Sequence, residues 1–178
     1  MNISIIFFRN MNLGHPGSPD RHSLLSILED AGARKVKSIQ TNGTVLLKAN
    51  SPDQVIDTAT SVLSAQFGYS DAVITKNLSE VQSFLDSCNT EEITDPSVYR
   101  LVLTFFGKQT IDVNLPWVNK KGDVDILEVK NGMAFCIIRK SRTTAGNATF
   151  EIERLTQSPA TTRTISTIRR CIASASDF

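Results

Sequence analysis

Apolar positions along this chain recur at two alternating periods, and each switch between them marks an element. Residues 3–8, "ISIIFF", form an apolar run of strand length. In "GSPDRHSLLSILEDAG", Leu24, Ile27, Leu28 and Ala31 fall at helical spacing, with Ser18 suited to the cap, Pro19 to the first turn and Gly32 to the end. Strands are predicted at 34–39 ("RKVKSI") and 44–49 ("TVLLKA"). Asn42-Gly43 between them favours a two-residue type I′ turn, because both residues tolerate positive φ. "SPDQ" at 51–54 has the form of a capping box and opens a helix with Val55, Ala59, Val62 and Leu63 inward, which Gly68 can end. A strand at 71–76 follows, and "NLSE" caps a helix with Leu78, Val81, Leu85 and Cys88 on one side.

The second half repeats the order. "YRLVLTFF" (99–106) is a strand, 107–116 a connector or short helix, and "GDVDILEV" and "MAFCIIR" a hairpin around Lys130-Asn131-Gly132. A helix over 147–157 turns Ile152 and Leu155 inward, "ATTR" is a short strand, and Ile165, Ile168, Ile172 and Ala175 line a closing helix. The expected fold is α+β: two tandem ferredoxin-like (β-α-β-β-α-β) units over 1–88 and 99–178, joined by 89–98, each followed by a helix, with mostly antiparallel sheets. The strand polarities agree with a 4-1-3-2 order. "IIFF", "VLL", "LVLTFF" and "FCII" are almost wholly apolar, as central strands are, whereas "RKVKSI" and "GDVDILEV" carry the charges of edges. In that topology the first two strands run parallel, so the long loop 9–18 lies near the hairpin tip 40–43. Arg9, Asn10, Asn12, Gln40 and Thr41 would then form one polar cluster.

Composition narrows the class without naming a reaction. A chain of 178 residues, 40% hydrophobic and 21% charged, buries a core without metal or disulfide staples. The net charge of +1 conceals an asymmetry: residues 1–129 carry 11 basic and 15 acidic side chains (−4), residues 130–178 carry 8 and 3 (+5). That tilt suits an anionic partner but falls short of a nucleic-acid footprint, and no aromatic-rich motif marks the central strands. Cys88, Cys136 and Cys171 form no CxxC pair, and the last two fall among apolar positions as small core residues. The apolar start is too short for a signal peptide or a membrane span, so a reducing cytoplasm is expected and no membrane.

No P-loop, G-x-G-x-x-G, G-x-S-x-G or H-E-x-x-H is present. His15 and His22 are seven apart and no carboxylate set joins them, so neither a metal nor a cofactor is implied. Asp123 and Asp125 share one strand face, as a pair of acid–base carboxylates would, but a solvated edge gives the same pattern.

"FFRNMNLG", "SIQTNGTVLL" and "SPATTRTISTIRRC" together resemble the bacterial domain-of-unknown-function family numbered 1697, in order and over essentially the whole chain. Arg9, Asn12 and Gly14 carry the first motif, Gln40 and Val45 the second, and Pro159, Ala160, Thr161, Thr162, Arg163 and Thr167 the third. The resemblance implies an α+β fold of two ferredoxin-like halves and no particular activity. The chain departs from the pattern at Asn10, His15, Asn42-Gly43 and Ile165, and keeps an Arg-Ser-Lys stretch only loosely at Lys140, Ser141 and Arg142. Two functional readings follow. In one the protein is a binding module in which Arg9, Asn10, Asn12, Gln40, Thr41, Ser141, Thr161, Thr162 and Arg163 hold a small anionic ligand, with Arg supplying a planar fork for oxyanions. In the other it is an enzyme of undefined reaction using Arg9, His15, Thr162 and Arg163. Against both stands a purely structural account, with Thr162 or Thr164 capping the last helix and Arg163 anchoring the fold.

Overall fold

The computed structural model describes residues 3–108, 110–140 and 144–178. The chain forms an α+β fold with two antiparallel sheets and divides into two compact units, Met1–Val81 with Arg169–Phe178, and Gln82–Ile168.

The first unit runs β1 (Ile3–Phe8), α1 (Arg21–Asp30), β2 (Lys35–Gln40), β3 (Thr44–Lys48), α2 (Pro52–Phe67), β4 (Val73–Asn77) and the start of α3 (Leu78–Ser87). Its sheet has the order β2-β3-β1-β4, with every pair antiparallel. Ile6, Phe8, Val45 and Leu47 form one face and bury against Leu24 and Leu28 of α1 and Val55, Ala59 and Leu63 of α2. Each of the larger side chains among them contributes on the order of 1.5–3 kcal/mol. Ile5, Phe7 and Leu46, on the opposite face, are equally buried, which explains why the central strands read as unbroken apolar runs.

Three local expectations are corrected. α1 is capped by Asp20, whose carboxylate accepts from the Ser23 amide at 2.8 Å, while Ser18 accepts from the Asn12 amide and closes the preceding loop instead. The β2–β3 turn is not type I′. Gln40 pairs with Thr44, leaving three loop residues, of which only Gly43 takes positive φ (70°). A Cβ on Gly43 would lie 2.9 Å from the Cβ atoms of Phe8 and Met11, so glycine is required for space as well as for conformation. Ser51 precedes α2 but makes no side-chain capping bond, so the capping box does not close. Gly68 ends α2 in the left-handed conformation, as expected.

The second unit contains the rest of α3, then β5 (Val98–Phe106), β6 (Trp117–Val118), β7 (Val124–Lys130), β8 (Met133–Arg139), α4 (Ala148–Thr156), β9 (Ala160–Thr164) and the start of α5 (Ile165–Ser174). The sheet order is β6-β7-β8-β5-β9, again antiparallel throughout. Val102, Phe106, Ile126, Ala134, Cys136 and Ile152 centre its core. The β7–β8 hairpin does use two left-handed residues, Asn131 (φ 50°) and Gly132 (φ 69°), between paired Lys130 and Met133.

No helix occurs among the described residues of 107–116, so this half lacks the first helix of the expected repeat. Ile111 and Val113 alternate at the period of extended chain and, with Trp117, cover the core as a helix would. Trp117 and Val118 then pair with Ile126 and Asp125, so β7 is covered rather than a free edge. Asp125 is consequently buried, not solvated, and its Oδ1 forms an ion pair with Arg139 Nη1 at 2.6 Å.

Candidate functional site

In the first unit, β1 and β2 both run antiparallel to β3 and hence parallel to each other, which brings loop 9–18 to the hairpin tip. The Leu13 amide donates to the Thr41 carbonyl at 2.8 Å, and the Phe8 amide to the Gly43 carbonyl at 2.9 Å. Arg9 Nη1 contacts both Asp71 oxygens at 2.9 Å, and Asn10 Nδ2 donates to the same carboxylate at 2.7 Å. Burial pushes the Asp71 pKa up. The Ala72 amide, Arg9 and Asn10 outweigh it and hold the carboxyl below its ordinary value. The buried Tyr69 hydroxyl donates to the Arg9 carbonyl at 2.9 Å and stacks edge-on to Phe8. Gln40 Oε1 accepts from Asn42 Nδ2, and Asn42 Oδ1 accepts from Thr44. The structure therefore joins Arg9 and Asn10 on Asp71 and ties Gln40 into the hairpin. Asn12 has an exposed side chain, and Thr41 supplies a backbone carbonyl. Sequence reasoning did not reach Asp71 or Tyr69, about 60 residues from Arg9 in sequence, since only the β1–β4 pairing brings them close.

In the second unit, "ATTR" belongs to β9, whose alternation separates its side chains. Thr162 is opposite Thr104 on β5, their hydroxyls 2.8 Å apart, and the Thr149 hydroxyl of α4 is 2.7 Å from Thr162. Arg163 is 8% exposed. Its Nη1 donates to the Thr161 hydroxyl at 2.7 Å and to the Thr162 carbonyl at 2.9 Å. Of the two capping candidates, Thr164 precedes α5 and accepts from the Thr167 amide at 3.4 Å. Ser141 lies outside the described residues.

The same unit carries an open cleft of about 430 Å³ lined by Ser97, Tyr99, Lys121, Asp123, Arg139 and Lys140, among others. Asn119 shapes it: its Nδ2 donates to Asp123 Oδ1 (2.7 Å) and Glu151 Oε1 (2.9 Å), and its Oδ1 accepts from the Asp123 and Val124 amides. Arg139 also donates to Ser97 and Asp95, and the bond to Asp125 leads the causes that raise its pKa. Gly146 is required nearby, since a Cβ there would meet the Asp123 carbonyl oxygen at 2.1 Å. Lys140 Nζ lies 5.3 Å from the centre of the Tyr99 ring, itself 43% exposed. Lys121 and Lys140 have no carboxylate within ion-pair distance among the described residues. The sequence signal for this cleft was present in the basic tilt after residue 129 and in "RKSRTT", but nothing local tied it to Lys121 or Tyr99.

Burial pushes the thiols of Cys88 and Cys136 up to about 12, so both are protonated at neutral pH and neither offers a thiolate nucleophile. None of the three cysteines forms a disulfide, and all three are buried. Among the described residues no group of three or more His, Cys, Asp or Glu is arranged to hold a metal ion, and no helix is long and apolar enough to cross a membrane.

Comparison with known proteins finds a match over residues 1–134 to the family described as "Protein of unknown function (DUF1697)". A solved structure, that of the conserved bacterial protein SP0830 from Streptococcus pneumoniae, is similar over 95% of this chain and 96% of its own, with a TM-score of 0.63 at 13% identity. That likeness concerns the fold. No protein with curated annotation matches.

Proposed function

The chain belongs to the DUF1697 family, and we propose that this member is a cytoplasmic binding module for a small anionic ligand, held in the open cleft of its second unit. The observation that carries this reading is the pairing pattern of the cleft's charges. Arg139 is neutralised by Asp125 and Asp95, and Asp123 is held by Asn119, which leaves Lys121 and Lys140 as the cations facing the space beside an exposed Tyr99 ring. Ammonium groups attract phosphate or carboxylate, and the ring adds an apolar wall for the rest of the ligand. Arg9 and Arg163, the strongest candidates in the sequence, are engaged instead with Asp71 and with Thr161, which favours a structural role for them.

We also read both units as ferredoxin-like. The β2-β3-β1-β4 order of the first supports this, as does the β7-β8-β5-β9 portion of the second, in which the irregular 110–116 segment and β6 stand where the first helix is expected.

Equilibrium titration of the full chain against phosphate- and carboxylate-bearing metabolites tests the binding reading. Lys121→Ala and Lys140→Ala are expected each to weaken binding roughly fivefold, as loss of a surface charge contact of about 1 kcal/mol implies. Added salt should weaken it further. Affinity unchanged in the double variant overturns the assignment.

A further inference from the structure

Arg139 lines the lysine cleft, and its guanidinium is shared between two carboxylates that hold it unequally. The backbone fixes its position. It ends β8 opposite Val98 of β5, its amide donates to the Asp123 carbonyl at 2.9 Å, and its carbonyl accepts from the Gly146 amide at 3.0 Å. Nη1 lies 2.6 Å from Oδ1 of Asp125, whose side chain is 12% exposed. Nη2 lies 3.3 Å from Oδ2 of Asp95, whose side chain is 46% exposed. Nε donates to the Ser97 hydroxyl at 3.0 Å.

One carboxylate is enough to neutralise one guanidinium, and the buried Asp125 does so at the shorter distance. Asp95 is therefore a second negative charge on a cation already matched. Its contact is both longer and more exposed, and a larger separation in a higher dielectric weakens the attraction on each count. Asp95 is held chiefly by its own turn. Its Oδ1 accepts from the Ser97 amide at 2.8 Å, and that bond comes ahead of Arg139 among the causes that lower its pKa. Releasing Arg139 breaks only the Oδ2 contact and leaves the turn intact. What Asp95 now places on Arg139 is one oxygen of a carboxylate, on an arginine that lines the cleft with Tyr99 and Lys140.

We propose that Asp95 is a built-in plug: its carboxylate holds the place of a ligand's carboxylate on Arg139, and the cleft selects small monocarboxylates that displace it. The proposal rests on the reading of the lysine cleft as an anion site, and adds to it a ligand class and a specificity-determining residue, Arg139. The exchange preserves charge. One carboxylate leaves Nη2 and another arrives, while Asp125 stays paired with Nη1. A phosphate dianion would bring a further negative charge to a guanidinium that Asp125 has already neutralised, whereas Lys121 and Lys140 attract either anion.

The test is a titration of the full chain, isotopically labelled, with acetate and separately with inorganic phosphate, following backbone amide signals by NMR in the natural chain and in Asp95→Asn. That substitution keeps an oxygen for the Ser97 amide and removes the charge that competes for Arg139. Saturable acetate shifts at Ser97, Tyr99 and Lys140 are expected in both chains, with an affinity roughly three- to fivefold higher in Asp95→Asn, as loss of an exposed competing charge implies. Phosphate should gain less than acetate. The acetate gain should vanish when Asp95→Asn is combined with Arg139→Lys, which keeps the charge and loses the planar fork. A gain that survives there is general electrostatics and overturns the plug. An acetate affinity unchanged or lowered in Asp95→Asn alone overturns it as well, without recourse to any Arg139 variant. A phosphate gain equal to or above that of acetate overturns the carboxylate assignment. The underlying reading fails separately, if Lys121→Ala and Lys140→Ala together leave acetate affinity in Asp95→Asn unchanged. Absence of any acetate response in both chains overturns the two together.

Discussion

Arg9 shows how the function of a residue is decided by what it touches. Its guanidinium is the fork an oxyanion would want, but the Asp71 carboxylate already occupies it, joined by Asn10 and backed by the Ala72 amide. The same geometry makes Asp71 a reporter of stability. Its folded pKa is depressed below the ordinary value, so its contribution is fully present above the unfolded-state pKa, about 3.9, and is lost as pH falls through the folded value. The stability difference between the natural chain and Asp71→Asn, measured by chemical denaturation, should be largest near neutral pH and close in strong acid. A difference that stays constant across that range would show that the ion pair contributes nothing through its charge. Arg163 teaches the same lesson from a strand: its guanidinium donates to the Thr161 hydroxyl and the Thr162 carbonyl, on its own β9.

Among the elements, helix starts separate signals that look alike in sequence. Asn147 caps α4, with its side chain accepting from the Phe150 amide at 3.0 Å, whereas Ser51 before α2 makes no such bond. Asn147→Ala should therefore destabilise by about 1 kcal/mol. Ser51→Ala should leave the midpoint of thermal or denaturant unfolding essentially unmoved. Equal losses in the two would contradict this assignment of caps. The two hairpins divide in the same way. Asn131-Gly132 spans a two-residue loop with both φ positive, while Asn42-Gly43 belongs to a three-residue loop and puts only the glycine there. The dipeptide is common to both, and strand register makes the difference.

At the scale of the molecule, the central strands are buried on both faces, and the cysteines are buried with them. With Cys88 and Cys136 pushed up to about 12, the native protein should react negligibly with a thiol reagent at neutral pH and release its full thiol count only on unfolding. Rapid labelling of either residue in the native state would refute this burial. What the sequence determined by itself was the order and type of nearly every element, because apolar periodicity and Gly, Asn and Pro punctuation are local properties. Central β1, β3, β5 and β8 were legible for that reason: a strand buried on both faces must be apolar at both parities. Tertiary structure alone decided the rest. Whether 110–118 would fold as a helix or as a cover ending in β6 depended on the open side of β7, and that cover is what buried Asp125 against Arg139. The candidate sites were likewise invisible locally. Arg9 meets Asp71 only through the β1–β4 pairing, and Lys121 meets Tyr99 only through the fold of the second unit. What a charged side chain touches is a property of surroundings assembled from distant segments, and no single stretch of sequence contains it.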